Sequence, residues 1–198
     1  MAENVAHQTQ VALVPLQPDD REQFIADNQE AFLYGATQEF GPRDDHFEED
    51  GQIIARATIE ASIDAQNAET YRIVQDGKPV GGLVLALDTA AGKGELELLF
   101  VSPHVHSKGI GQAAWREVER MHPEIRVWGL VTPYFEKRNI HFYVNKLGFH
   151  IVEFFNSHHP DPNDPEAYCV GGEGEGLGHD GHRGDKDDGM FRFEKAIW

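Results

Sequence analysis

Gly109 and Gly111 flank Ile110 just after an apolar run that ends in Ser102-Pro103, and this turn has the residue types to hold an anion. Glycine lets a ligand approach the main chain closely. The first N–H groups of a helix have no internal partners and point outward. The helix dipole adds partial positive charge at the same end. A phosphate or pyrophosphate suits such a turn, and each amide bond to a charged oxygen contributes about 1.5–3 kcal/mol. Two other phosphate loops match poorly. The P-loop ends in Gly-Lys-Ser/Thr, whereas Gly111 is followed by Gln112. The dinucleotide loop wants a third glycine where Ala114 stands, and it opens a βαβ unit with an acidic residue further on. Two further pairs carry polar chemistry. Glu95 and Glu97 lie two apart in the apolar run, on one face of a strand unless a bulge intervenes. Asn139 and Tyr143 are four apart and share one face of a helix.

The elements that position these residues are legible nearby. Leu96 to Val101 is apolar apart from Glu97, which suits a largely buried strand. Pro103 ends it, because proline lacks the N–H of a central ladder. Ser107 is placed to cap a helix opening at Gly109. Ile110, Ala114, Val118 and Met121 then recur at helical spacing and form one apolar face. Before this unit, Val11 to Leu16 reads as a strand, and Asp19 and Asp20 open a helix with Phe24, Ile25, Phe32 and Leu33 as core candidates. Residues 40–47 form a loop, and 52–67 a helix rich in Ile and Ala. Tyr71 to Val74 and Val80 to Leu87 pair as a hairpin, because Asp76-Gly77 is a strong two-residue turn signal. Beyond it follow a strand from Ile125 to Val131, a helix from Lys137 to Lys146, a strand from Phe149 to Phe155 and a final strand from Met190 to Ile197.

The composition bounds the rest. The chain has 198 residues, enough for one domain with a sizeable core. Residues 1–10 are polar and read as a flexible tail; residues 11–198 read as the domain. No apolar run reaches membrane-spanning length, and the N-terminus carries no secretory pattern. Cys169 is the single cysteine, so an internal disulfide is excluded and a reducing cytoplasm is the natural location. A net charge of −17 disfavours nucleic acid and anionic membranes and is compatible with a cationic amine. Residues 157–189 hold nine Asp/Glu, two Lys/Arg and four His among many Gly and Pro, the composition of a long acidic loop. His158, His159, Asp161, His179, Asp180 and His182 in that loop fit no standard zinc spacing, so no metal site is expected.

The segment His106-Ser-Lys-Gly-Ile-Gly111 after a strand resembles motif A of the GNAT superfamily, the acetyl-CoA-dependent N-acetyltransferases, written Arg/Gln-x-x-Gly-x-Gly/Ala. Asn139-Ile-His-Phe-Tyr-Val-Asn-Lys-Leu-Gly-Phe149 is similar to its motif B, a helix ending in Leu-Gly-Phe before a strand. His106 departs from the usual first residue of motif A. The resemblance covers roughly 11–152 and the last strand. It implies a single α/β domain with a mixed, mostly antiparallel, twisted sheet flanked by helices. It also implies an acetyl-CoA co-substrate held by His106, Ser107, Lys108, Gly109, Ile110, Gly111 and Gln112, by the strand residues Leu99, Phe100 and Val101, and by Asn139 and Tyr143. Phe40, Arg43, Asp44, Asp45 and His46 fall where the family lines its acceptor pocket. Homodimers are common in the family.

The chemistry that the resemblance implies is acetyl transfer from a thioester to a primary amine in a ternary complex. A lysine-like amine has a pKa near 10.4, so deprotonating it at neutral pH costs about 4–5 kcal/mol. A carboxylate that takes this proton lowers the barrier. Glu95 stands where several family members carry that base, and Glu97 is next in line. Amides of Leu99 to Val101 are placed to stabilise the oxyanion. A motif B tyrosine commonly protonates the leaving thiolate, and Tyr143 is the candidate. It lies five residues before Gly148, whereas the family tyrosine lies four before, at the place of Val144. The alternative is a module that binds CoA or a partner without catalysis.

Overall fold

The computed structural model describes residues 10–37, 51–105, 109–156, 158–162 and 189–198. The chain forms two compact units, Met1–Trp128 with Ala196–Trp198, and Gly129–Lys195.

The first unit begins with β1 (Ala12–Pro15), a short 3-10 turn (Pro18–Asp20), α1 (Arg21–Thr37) and α2 (Arg56–Asp64). Three long strands follow: β2 (Ala68–Gln75), β3 (Lys78–Asp88) and β4 (Lys93–Val101). Then come α3 (Ile110–Met121) and β5 (Val127–Pro133), whose first residues belong to this unit. β1, β2, β3 and β4 pair in that order, each antiparallel to the next. Asp76 and Gly77 both have positive φ, 50° and 75°, as a type I′ turn requires, so the β2–β3 hairpin follows from two residues.

The core on one face of these strands is Phe24 and Ile25 of α1, Ile59 of α2, Val84 of β3, and Leu98 and Phe100 of β4. Phe24 meets Phe100 edge-on at 5.1 Å. Gly82 makes that contact possible: a Cβ there would collide with both rings. Gly94 gives way on β4 to Trp128, which meets Trp115 of α3 edge-on at 5.2 Å. Arg72 of β2 ties the start of α1 to the strands. It is 4 % exposed, donates to Asp20 at 2.5 Å and Asp27 at 2.7 Å, and stacks over Phe24.

The second unit holds the rest of β5, α4 (Lys137–Phe142), a π-helical turn (Tyr143–Leu147), β6 (His150–Phe155) and β7 (Met190–Ala196). Its strands run in the order β5-β7-β6, with β6 and β7 antiparallel. Its core gathers Leu147, Phe149, Phe155 and Phe193.

The α/β expectation of a mostly antiparallel sheet flanked by helices holds, with two local corrections. The helix after β4 starts at Ile110 and is capped by Gly109, with no side-chain cap bond, so the cap is not Ser107. The expected single helix to Lys146 is α-helical only as far as Phe142 and then widens into the π turn. Most of the acidic loop, the acceptor-loop residues Phe40, Arg43, Asp44, Asp45 and His46, and the N-terminal tail lie outside the described residues.

Candidate active site

In the first unit the candidate residues lie on two successive elements. β4 carries Glu95, Glu97, Leu99, Phe100 and Val101, and α3 opens with Ile110, Gly111 and Gln112. A tight turn follows β4. Val105 N–H donates to the Ser102 carbonyl at 3.2 Å, and His104 N–H to Ser102 Oγ at 3.3 Å. His106, Ser107 and Lys108 lie outside the described residues. Gly109 then sits at φ 97°, a left-handed conformation that glycine adopts without strain. Its carbonyl accepts the Ala113 N–H at 2.9 Å, the first intrahelical bond. The N–H groups of Ile110, Gly111 and Gln112 therefore precede the helical ladder and face outward from the helix end. Ile110 itself is 1 % exposed and anchors the turn in the core. A phosphate fits this arrangement: the donors are main-chain, and neither Gly109 nor Gly111 has a side chain in the way.

The two glutamates are separated by a break in register. Val84 pairs with Leu98, but Leu85 pairs with Leu96, so Glu97 is an extra residue on β4. A bulge of this kind switches the alternation of the strand. Leu98 and Phe100 face the α1–α2 core beside Val84, whereas Leu96, paired with Leu85, faces the other side together with Gly94. Glu95 pairs with Ala86, which pairs with Ala68, and Ala68 packs against the α1–α2 core. Glu95 therefore faces the α1–α2 side, half-buried, and Glu97 sits at the bulge, exposed. The alternation expected of an uninterrupted strand does not apply across Glu97. Sequence reasoning had no signal for where the extra residue would fall.

In the second unit Asn139 and Tyr143 come together on one helix face. The Tyr143 N–H donates to the Asn139 carbonyl. Both side chains are half-buried. The Tyr143 ring packs among Phe142, Phe149 and Phe193, with centroids 5.6–6.2 Å apart. This desolvation, with the nearby Glu136 charge adding to it, pushes the phenol up to about 12. The group stays protonated at neutral pH. Tyr143 also opens the π turn. Gly148 N–H donates to the Tyr143 carbonyl, and Gly148 has φ 80°. The wide turn accommodates the additional residue between Tyr143 and Gly148. His141 and His150 are exposed, and His141 bonds Asn145 at 2.9 Å.

No helix among the described residues is long and apolar enough to cross a membrane.

Comparison with known proteins agrees with this fold. Residues 31–149 match the sequence model of the Acetyltransferase (GNAT) family. The "Uncharacterized protein YrkN" of Bacillus subtilis (strain 168) is 40 % identical over 195 residues, covering 96 % of each chain. Two solved structures share the fold. PaiA N-acetyltransferase from Thermoplasma acidophilum, in complex with coenzyme A, superposes with a TM-score of 0.60 at 18 % identity over 96 % of this chain and 100 % of that one. The ribosomal-protein-S18-alanine N-acetyltransferase from Escherichia coli gives 0.58 at 13 % identity over 95 % and 94 %. A residue model spanning more than half the chain and a relative at this identity place the protein: it belongs to the acetyltransferase (GNAT) family, whose chemistry is acetyl transfer.

Proposed function

We propose that this protein is an N-acetyltransferase that moves an acetyl group from acetyl-CoA to a primary amine by direct attack. The observation that carries the reading is the glycine-capped start of α3 directly after β4, with its outward N–H groups at Ile110, Gly111 and Gln112. These groups would hold the pyrophosphate of the co-substrate, whose thioester supplies the acetyl group. Solved relatives of the same fold bound to coenzyme A, such as the Thermoplasma protein, support that choice of ligand.

The roles of the side chains follow from their surroundings. Glu95 faces the α1–α2 side of β4, and an acceptor entering from that side meets a carboxylate able to take its proton, directly or through water. Glu97 at the bulge is the second carboxylate within the same few residues. Main-chain N–H groups of Leu99 to Val101 would polarise the thioester carbonyl. Tyr143 would return a proton to the departing sulfur, and Asn139 would bond the co-substrate one turn earlier.

Calorimetric titration with acetyl-CoA tests the reading, with ATP and NAD as controls. Micromolar binding of acetyl-CoA alone is the expected result, followed by turnover on a panel of small amines, peptide N-termini and lysine peptides. Binding of acetyl-CoA without turnover on any acceptor would replace the enzyme by a CoA-binding module.

A further inference from the structure

α1 is fixed to the strands over its first turns. Arg72 of β2 donates to Asp20 and Asp27, and Phe24 rests against Phe100 of β4. Ile25 beside it is fully buried. Glu30 lies beyond these contacts, on an exposed side of the helix, and bonds outside it: its Oε1 meets His104 Nε2 at 2.9 Å. The two residues are 74 apart in the chain, so no local preference brings them together. An ionised carboxylate only accepts, so Nε2 carries the hydrogen.

His104 belongs to the four-residue turn from Ser102 to Val105 that follows β4. The turn closes on itself. Val105 N–H donates to the Ser102 carbonyl at 3.2 Å, and His104 N–H to Ser102 Oγ at 3.3 Å. Pro103, at its second position, has a fixed φ. Holding one residue of so tight a unit holds the others. Among the described residues, two hydrogen bonds tie this turn to other elements. Ser102 N–H donates to the Val80 carbonyl of β3 at 2.9 Å, which fixes where the turn leaves the sheet. The His104–Glu30 bond then ties its far side to α1. Gly109 comes four residues after Val105 and opens the row of N–H groups at Ile110, Gly111 and Gln112. Buried Ile110 pins that helix end from the core, and the turn restrains the chain that enters it.

The pair contributes little to folding. Its side chains are 51 % exposed for Glu30 and 76 % for His104, and an exposed pair changes an equilibrium by about fivefold at most. Its effect lies in where it acts, because a binding seat held in place beforehand loses less freedom when the ligand arrives. We infer that Glu30 is a positioning residue for the co-substrate: through His104 it holds the β4–α3 turn, and so the approach to the α3 N–H groups, in the conformation that binds the pyrophosphate. The inference rests on the acetyl-transfer reading and gives Glu30 no part in the chemistry itself. The charge of Glu30 works against its hydrogen bond, since a carboxylate near an anion seat repels the anion. Substitution separates the two effects.

The test uses the full chain. Glu30→Gln keeps an oxygen for the His104 N–H and removes the charge, Glu30→Ala removes both, and His104→Ala removes the other partner. In calorimetric titration, acetyl-CoA should bind about three- to fivefold more weakly to Glu30→Ala and to His104→Ala, and no more weakly still to the double variant. Glu30→Gln should bind it as tightly as the parent or more so. KM for acetyl-CoA should rise by the same factor in the two alanine variants, with kcat and the acceptor KM within about twofold of the parent. Unliganded melting temperatures should stay within about 4 °C of the parent. Unchanged acetyl-CoA binding in Glu30→Ala, an equal loss in Glu30→Gln, a loss confined to His104→Ala, an equal rise in the acceptor KM or a larger fall in melting temperature would each overturn the inference alone. A parent protein that binds no acetyl-CoA would overturn the acetyl-transfer reading and this inference with it.

Discussion

The carbonyl oxygen of Tyr143 accepts the N–H of Phe149 at 3.0 Å as well as the N–H of Gly148. These wide bonds let the helix hold one residue more before its glycine cap without losing backbone pairing. Tyr143, not Val144, then stands one turn after Asn139 and among the Phe142, Phe149 and Phe193 rings. Tyr143→Phe is expected to lower kcat roughly 10²-fold, the scale of a lost general acid, with acetyl-CoA affinity retained. Val144→Ala should leave kcat within about twofold. Steady-state kinetics with calorimetry on both variants checks this, and equal losses would remove Tyr143 from the acid role.

The raised pKa of Tyr143 has a consequence for stability. An unfolded tyrosine ionises near 10, and the folded one near about 12. Below 10 both states are protonated and the contribution of the group is intact. As pH rises through the window from 10 to 12, the unfolded chain loses the proton first and stability falls. Tyr71, also raised by burial and by its bond to Glu69, acts in the same direction. Thermal unfolding between pH 9 and 12 should show a decline that is shallower in Tyr143→Phe than in the parent. A decline of the same slope in both would contradict the burial of this phenol.

Glu95→Gln is expected to reduce the acetylation rate most at low pH, where the acceptor amine is protonated and needs a base. The deficit should shrink as pH approaches the amine pKa. A pH–rate profile parallel to that of the parent would exclude Glu95 as the base and leave Glu97 for the same experiment.

Gly109 and Gly111 separate backbone strain from ligand exclusion. A side chain at Gly109 meets a left-handed φ of 97°, so Gly109→Ala should cost about 1–2 kcal/mol of stability. Gly111→Trp should leave the far-ultraviolet circular dichroism of the fold in place and abolish acetyl-CoA binding. Full affinity in Gly111→Trp would move the co-substrate away from α3.

Arg72→Met removes the link from β2 to Asp20 and Asp27 and the stacking on Phe24. The aspartates remain partly solvated, so the expected loss is moderate, about 1–3 kcal/mol. Urea denaturation measures it, and a change within a few tenths of a kcal/mol would show that the cluster adds nothing to stability.

The sequence by itself determined what depends on neighbouring residues. Asp76-Gly77 specified a hairpin because two positive φ angles at adjacent positions close a type I′ turn with no outside help. Gly109 and Gly148 marked helix ends for the same local reason, since both need left-handed backbone. The 3.6-residue spacing of Ile110, Ala114 and Val118 placed α3, and its start fell within one residue of the expected Gly109. What only the tertiary structure decided depends on partners distant in the chain. The bulge at Glu97 exists because β3 pairs Leu85 with Leu96 and Val84 with Leu98, and no local preference of Glu97 announces it. That offset sends Glu95 to the α1–α2 side. The π turn at Tyr143 likewise follows from seating Tyr143 and Leu147 in one aromatic core while Gly148 keeps its cap.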